Sequence, residues 1–86
     1  MGVLITMNQE FTISGKRLHL TSDKVVSALS GIAPGPIQTH AVEINGQTYP
    51  VKEALARVTG LDLLDFNTNQ ARSVFRRLGF KVVRVG

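Results

Sequence analysis

Residues 65–85 read DFNTNQARSVFRRLGFKVVRV, and the rest of the chain is best understood outward from them. Ala71, Val74, Phe75 and Leu78 recur at i, i+3, i+4 and i+7, the apolar stripe of an amphipathic helix. Asn67 stands just before it and Gln70 three residues later. This is an Asn variant of the capping box, in which each side chain satisfies an orphan amide of the first turn. Gly79 falls where a left-handed residue ends a helix, and Phe80 can fold back onto Phe75 in a Schellman close. Phe80, Val82, Val83 and Val85 then read as a short strand. The polar residues form two stripes, Asn69, Arg72 and Arg76 on one flank and Gln70, Ser73 and Arg77 on the other. No acid follows Asp65, so Arg72, Arg76, Arg77, Lys81 and Arg84 lack a carboxylate nearby in sequence.

Upstream, Val3–Met7 is a short apolar run, so residues 1–8 are expected to form an ordered arm or an edge strand. Asn8, Gln9 and Glu10 should break it. Phe11 and Ile13, then Leu18 and Leu20, alternate with polar residues around Ser14-Gly15, which predicts a β-hairpin. Thr21-Ser22-Asp23 is a helix start, and Val25, Val26, Ala28 and Leu29 give that helix an apolar side before Gly31. The run GIAPGP at 31–36 forbids regular structure. Val42 and Ile44 share a strand face, and Asn45-Gly46 is the strongest short-range hairpin signal because both residues tolerate positive φ. Pro50 suits the first position of a helix. Val51, Ala54, Leu55 and Val58 form its stripe, and Gly60 closes it. In LDLLDF, residues 61–66, Leu61, Leu64 and Phe66 are expected to plug the core. The whole reads as a single α+β domain over 1–86. Hairpins form an antiparallel or mixed sheet, and about three short helices pack on one face.

The composition narrows the function. With 86 residues, 43% of them hydrophobic, there is material for one modest core. A net charge of +4 favours polyanionic partners. The absence of cysteine excludes disulfides, thiolate metal sites and cysteine catalysis, and fits a reducing, cytoplasmic setting. No apolar run is long enough to span a bilayer, and Met1–Met7 lacks the pattern of a signal peptide, so no membrane partner is expected.

The stretch from Ile44 to Val82 resembles small N-terminal head modules of modification-dependent HNH restriction endonucleases. The matching positions are the hairpin Gly46, Tyr49 and Lys52 at a helix start, the acidic-Phe pair Asp65-Phe66, and Leu78-Gly79-Phe80 at the end of a helix. That family usually follows the Phe with Ser-Gly-Gly, where this chain has Asn67-Thr68-Asn69. Nothing in these residues matches the nuclease half. The resemblance implies a related fold and a DNA-associated role, not an activity.

Candidate sites divide accordingly. His19 and His40 are isolated in sequence, with no spacing that would hold a metal, and read as strand-surface histidines. Asp62 and Asp65 flank helix ends, where Asp caps. Gly31–Gly35 lacks the lysine of a phosphate loop. Tyr49 should bury its ring and keep its hydroxyl at the rim. Lys52 sits in a first turn, where a cation opposes the helix dipole; either it is simply solvated or it meets an anion. No catalytic constellation and no cofactor motif is present, which predicts a non-enzymatic protein. The basic last helix and strand are expected to dock duplex DNA. Thr68, Asn69, Gln70 and Ser73 would face bases or phosphates, and Lys52, Arg72, Arg76, Arg77, Lys81 and Arg84 would supply charge. The alternative is an acidic protein partner, with this chain as its subunit or inhibitor, because both rewards follow from the same charges.

Overall fold

The computed structural model describes residues 8–36 and 39–84. The elements run β1 (Asn8–Ile13), β2 (Lys16–Thr21), α1 (Ser22–Leu29), β3 (His40–Ile44), β4 (Gln47–Pro50), α2 (Val51–Thr59), a 3-10 turn (Leu63–Asp65), α3 (Thr68–Arg77) and β5 (Lys81–Arg84). The fold is α+β. The expected arm at residues 1–7 and the strand residue Val85 lie outside the described residues.

Both hairpins form where the turn residues allow. Asn45 and Gly46 have φ of 50° and 81°, the paired positive values of a type I′ turn, and Ser14 is likewise positive at 53°. β1 begins three residues earlier than the apolar pattern suggests. Asn8–Glu10 do not break the strand, because they pair with His19–Thr21 of β2.

The strands form two antiparallel sheets rather than one: β1-β2, and β4-β3-β5. β3 is paired on both edges, by β4 and β5. β2 runs into α1 with no loop, since Thr21 is both the last strand residue and the cap whose hydroxyl accepts from Lys24 N–H at 3.0 Å. α1 packs on α2, so the first hairpin is carried over the helices and adds Phe11, Ile13 and Leu20 to a shared core. That core is centred on Phe75, Leu55, Leu78, Val25 and Val42, each essentially inaccessible.

α3 follows the sequence closely. Asn67 Oδ1 accepts from Gln70 N–H at 2.8 Å, and Gln70 Oε1 accepts from Asn67 N–H at 2.9 Å. Its far end is a Schellman motif. Phe80 N–H donates to Phe75 C=O and Gly79 N–H to Arg76 C=O, both at 3.0 Å, with Gly79 at φ 89°. Phe80 meets Phe75 edge-on, ring centroids 6.1 Å apart, though it is only half-buried.

Three further expectations fail locally. Leu64 does not plug the core: it is 93% exposed, and Leu63 is 42% exposed. Asp62 and Asp65 cap the 3-10 turn reciprocally, so a turn of three residues is fixed between two inward anchors, Leu61 and Phe66, and Leu63 and Leu64 are left outside. Pro50 closes β4 and stands one residue ahead of α2 instead of opening it. The Tyr49 hydroxyl is not at the rim. It lies 2.8 Å from Ile32 C=O, 3.1 Å from Leu29 C=O and 2.9 Å from Gln47 Oε1, and its one proton ties the second hairpin to the end of α1.

Candidate nucleic-acid interface

α3 buries Ala71, Val74 and Phe75, so its remaining residues face outward or lie along the flanks. The flank bearing Arg72 and Arg76 turns toward the end of the three-stranded sheet. There Arg84 of β5 is the register partner of His40 of β3. The alternation along β3 puts His40 on the same face as Val42 and Ile44, the face that meets the helices. His40 is therefore half-buried among arginines, not a strand-surface residue.

Its electrostatics report the company it keeps. Partial burial holds the His40 imidazole below its ordinary 6.5, and the Arg72, Arg84 and Arg76 charges lower it further. Folding thus favours the neutral ring. The fold keeps this advantage above 6.5 and loses it as pH falls from there through the lower folded value. His40 Nδ1 and Arg72 Nε are both closed off from solvent, and no group among the described residues hydrogen-bonds either. None of the described carboxylates forms an ion pair with Arg72, Arg76 or Arg84; Arg72 Nη1 reaches Asn69 Oδ1 at 3.4 Å.

The other sequence candidates are distributed differently. Lys81 does find a carboxylate. Glu43 lies beside it across the β3–β5 ladder, with Nζ and Oε2 3.9 Å apart, a pair that no reading of local sequence could show. Arg77 sits on the opposite flank of α3 and lays its guanidinium over the Phe11 ring, 4.7 Å from the centroid. Gln70 has its Oε1 committed to the cap, which leaves its Nε2 to meet a ligand. Thr68 is half-buried at the start of α3, while Asn69 and Ser73 are exposed along it. Lys52 belongs to another element. It lies half-buried on α2 with Nζ 5.8 Å from the Phe66 centroid, and this cation–π contact offsets its unfavourable place in the first turn.

Beside His40 the surface opens into a cleft of about 280 Å³ between the end of β3, the first turn of α2 and the first residue of α3. His40, Lys52 and Thr68 line it, with Thr39, Glu53 and Leu63. The structure therefore brings Arg72, Arg76 and Arg84 together with His40, places Lys52 and Thr68 next to them, and separates Arg77. Sequence reasoning missed His40 and the exposed Leu63-Leu64 pair. The signals were present: period-two alternation from His40 to Ile44, and the Asp-x-x-Asp spacing of 62–65 that fixes the turn.

Among the described residues no three His, Asp or Glu side chains gather in a way that could hold a metal ion, and no helix is long and apolar enough to cross a membrane. No curated protein and no solved structure matches the chain. A family model described as SCO5918-like matches residues 11–85, nearly the whole of the sequence, and with α3, β5 and the His40 cluster all inside that match the chain belongs to the SCO5918-like family.

Proposed function

We propose that this chain is a non-catalytic nucleic-acid-binding module that docks duplex DNA with the Arg72–Arg76 flank of α3, the basic strand β5 and the His40 end of β3. One observation carries the reading: arginines from two elements converge on a third, and none of the described carboxylates pairs with them. A charged outer face is the ordinary condition of an amphipathic helix and by itself argues nothing. Concentrating like charges from separate elements is different, because it costs stability through mutual repulsion and is relieved by a polyanion. Each phosphate so neutralised releases condensed counterions, which supplies most sequence-independent affinity. Asn69 and Ser73, exposed on the same helix, are placed to meet base edges or backbone. The resemblance of Ile44–Val82 to DNA-associated head modules supports the same reading.

The test is a titration against duplex, single-stranded and modified DNA over a range of salt. With roughly three to five phosphate contacts, the log–log slope for duplex is expected at about −3 to −4.5. Flat titrations of every DNA form near about 50 mM salt would end the reading.

A protein partner is the second reading, and one observation favours it. Leu64 at 93% and Leu63 at 42% exposure form an apolar knob on a doubly capped turn, the kind of rigid anchor that interfaces bury. It predicts partner capture lost in Leu64→Ser and in the arginine variants, with no duplex binding at low salt.

A further inference from the structure

We propose that the cleft between His40, Lys52 and Thr68 is a phosphate subsite, and that His40 is its proton-linked ligand. The proposal rests on the nucleic-acid reading for its main source of phosphate, the DNA backbone, but the chemistry is that of any tetrahedral oxyanion. Three observations bear on it.

The first is the cleft itself. Its lining gathers His40 of β3, Lys52 of α2 and Thr68 of α3, with Thr39 beside them, around a space of about 280 Å³, ample for a phosphate group. α2 enters it with no side-chain cap, because Pro50 at its N-cap offers none, while α1 and α3 are both capped. One acid also lines the cleft. Glu53 turns its carboxylate toward Gly35, where a Cβ would come within 2.9 Å of Oε2, so it is drawn to one wall.

The second is charge. Every titratable or charged group facing His40 from α3 and β5 is cationic: Arg72 and Arg76 from the helix, Arg84 from the strand. From α2, Lys52 and Glu53 share the cleft. Arg72 stands one turn beyond Thr68 on the same stripe of α3, so its charge backs the cleft. The third is polar satisfaction. His40 Nδ1 and Arg72 Nε are buried with no hydrogen-bond partner among the described residues, and Arg72 Nη1 already meets Asn69 Oδ1, so His40 Nε2 and Arg72 Nη2 are the nitrogens left for a ligand.

A dianion or monoanion in this cleft reverses the sign of the field at His40. In the free protein burial first, and then the Arg72, Arg84 and Arg76 charges, favour the neutral ring. With phosphate bound, the charged ring gains a hydrogen-bonded counterion and its pKa rises. Binding therefore takes up a proton in the pH range between the free and bound values, and affinity grows as pH falls through that range. Above it the neutral ring contributes only a neutral hydrogen bond.

The imidazole proton resonances of the unmodified chain report this directly. His19, on β2, is the one other histidine and serves as the internal control. Titrations are run in three arms: protein alone, with sulfate, whose charge is constant over this range, and with duplex DNA. The expected result is a His40 midpoint raised by about one unit with duplex. A rise with sulfate as well assigns a general oxyanion site. A rise with sulfate in a protein that does not bind duplex keeps the subsite, gives it to free phosphate and removes the nucleic-acid reading. Duplex binding with a His40 midpoint that stays fixed overturns the subsite and leaves that reading standing. A fixed midpoint with both probes and no duplex binding overturns both. In a second measurement, His40→Gln should abolish the gain in duplex affinity, up to about tenfold between roughly pH 7.5 and 5.5, that a one-unit shift entails. A gain that survives in His40→Gln also overturns the assignment.

Discussion

The two sides of α3 carry arginines of the same chemistry in different circumstances. Arg76 looks toward Arg72, Arg84 and His40, and meets no carboxylate among the described residues. Arg77, the next residue, lays its guanidinium over Phe11 of β1. One step along a helix turns the side chain by about 100°, enough to pass it from one neighbouring strand to another. β1 offers a ring; β5 offers another arginine and β3 an imidazole held toward its neutral form. Arg77 contributes to holding the first hairpin against α3, whereas Arg76 adds to a field that none of the described carboxylates pairs with. Counting arginines on the helix would treat them alike. What separates the two sides is what each neighbouring strand presents.

Variants can break this comparison at several depths. The deepest removes the ground beneath both sides. Phe75 is wholly buried, and Phe75→Ala should cost about 3–5 kcal/mol in urea unfolding, a large share of a small domain's stability. A loss below about 1 kcal/mol would mean that the two sides do not share one core. Next comes the cap common to both. Asn67→Ala should cost about 1 kcal/mol, a fall of roughly 4–8 °C in Tm, and should free Gln70 from its backbone bond. An unchanged Tm would show that the reciprocal bonds at 2.8 and 2.9 Å do not stabilise the helix.

The last two variants address the sides themselves. Arg77→Ala should cost about 0.5–1 kcal/mol through loss of the contact with Phe11 and leave the salt slope of DNA binding unchanged. A slope flattened by a full contact would put Arg77 on the binding side after all. Arg76→Ala should alter stability by less than about 0.5 kcal/mol while making the slope shallower by about 0.9. Measured side by side, these neighbours give opposite patterns, one in melting and one in salt dependence. Identical patterns would erase the distinction.

Much of the scaffold was legible because its signals are local. Asn67 and Gln70, Gly79 and Phe80, Asn45 and Gly46 each act within a turn of themselves, and each does what its residue type requires. The fate of Leu64 was hidden because apolar character predicts burial only on average, while the Asp62–Asp65 cap overrides it by fixing which way a short turn faces. The site was legible as a list of basic residues and illegible as an arrangement. Glu43 reaches Lys81, and Arg84 reaches His40, only through the β3–β5 ladder, whose partners lie about forty residues apart. His40 itself was visible in the alternation of β3, but only to a reader who already knew which face of that strand meets the helices.

That ladder also orders events in time. Each hairpin closes through a two-residue turn, a matter of microseconds for such an element. β3 can therefore hold β4 early, yet its other edge stays bare until α2 and α3 have been laid down and the Schellman turn at Gly79 has sent the chain back. Loop-closure entropy makes this return the costliest pairing in the molecule. Arg84 joins Arg72 and Arg76 of α3 only with it, since His40 and Arg84 become neighbours when β5 docks. Before that moment the nascent sheet has an open edge but no concentrated charge. Repulsion among Arg72, Arg76 and Arg84 works against that docking, so on the proposed reading a polyanion should ease the pairing of β5.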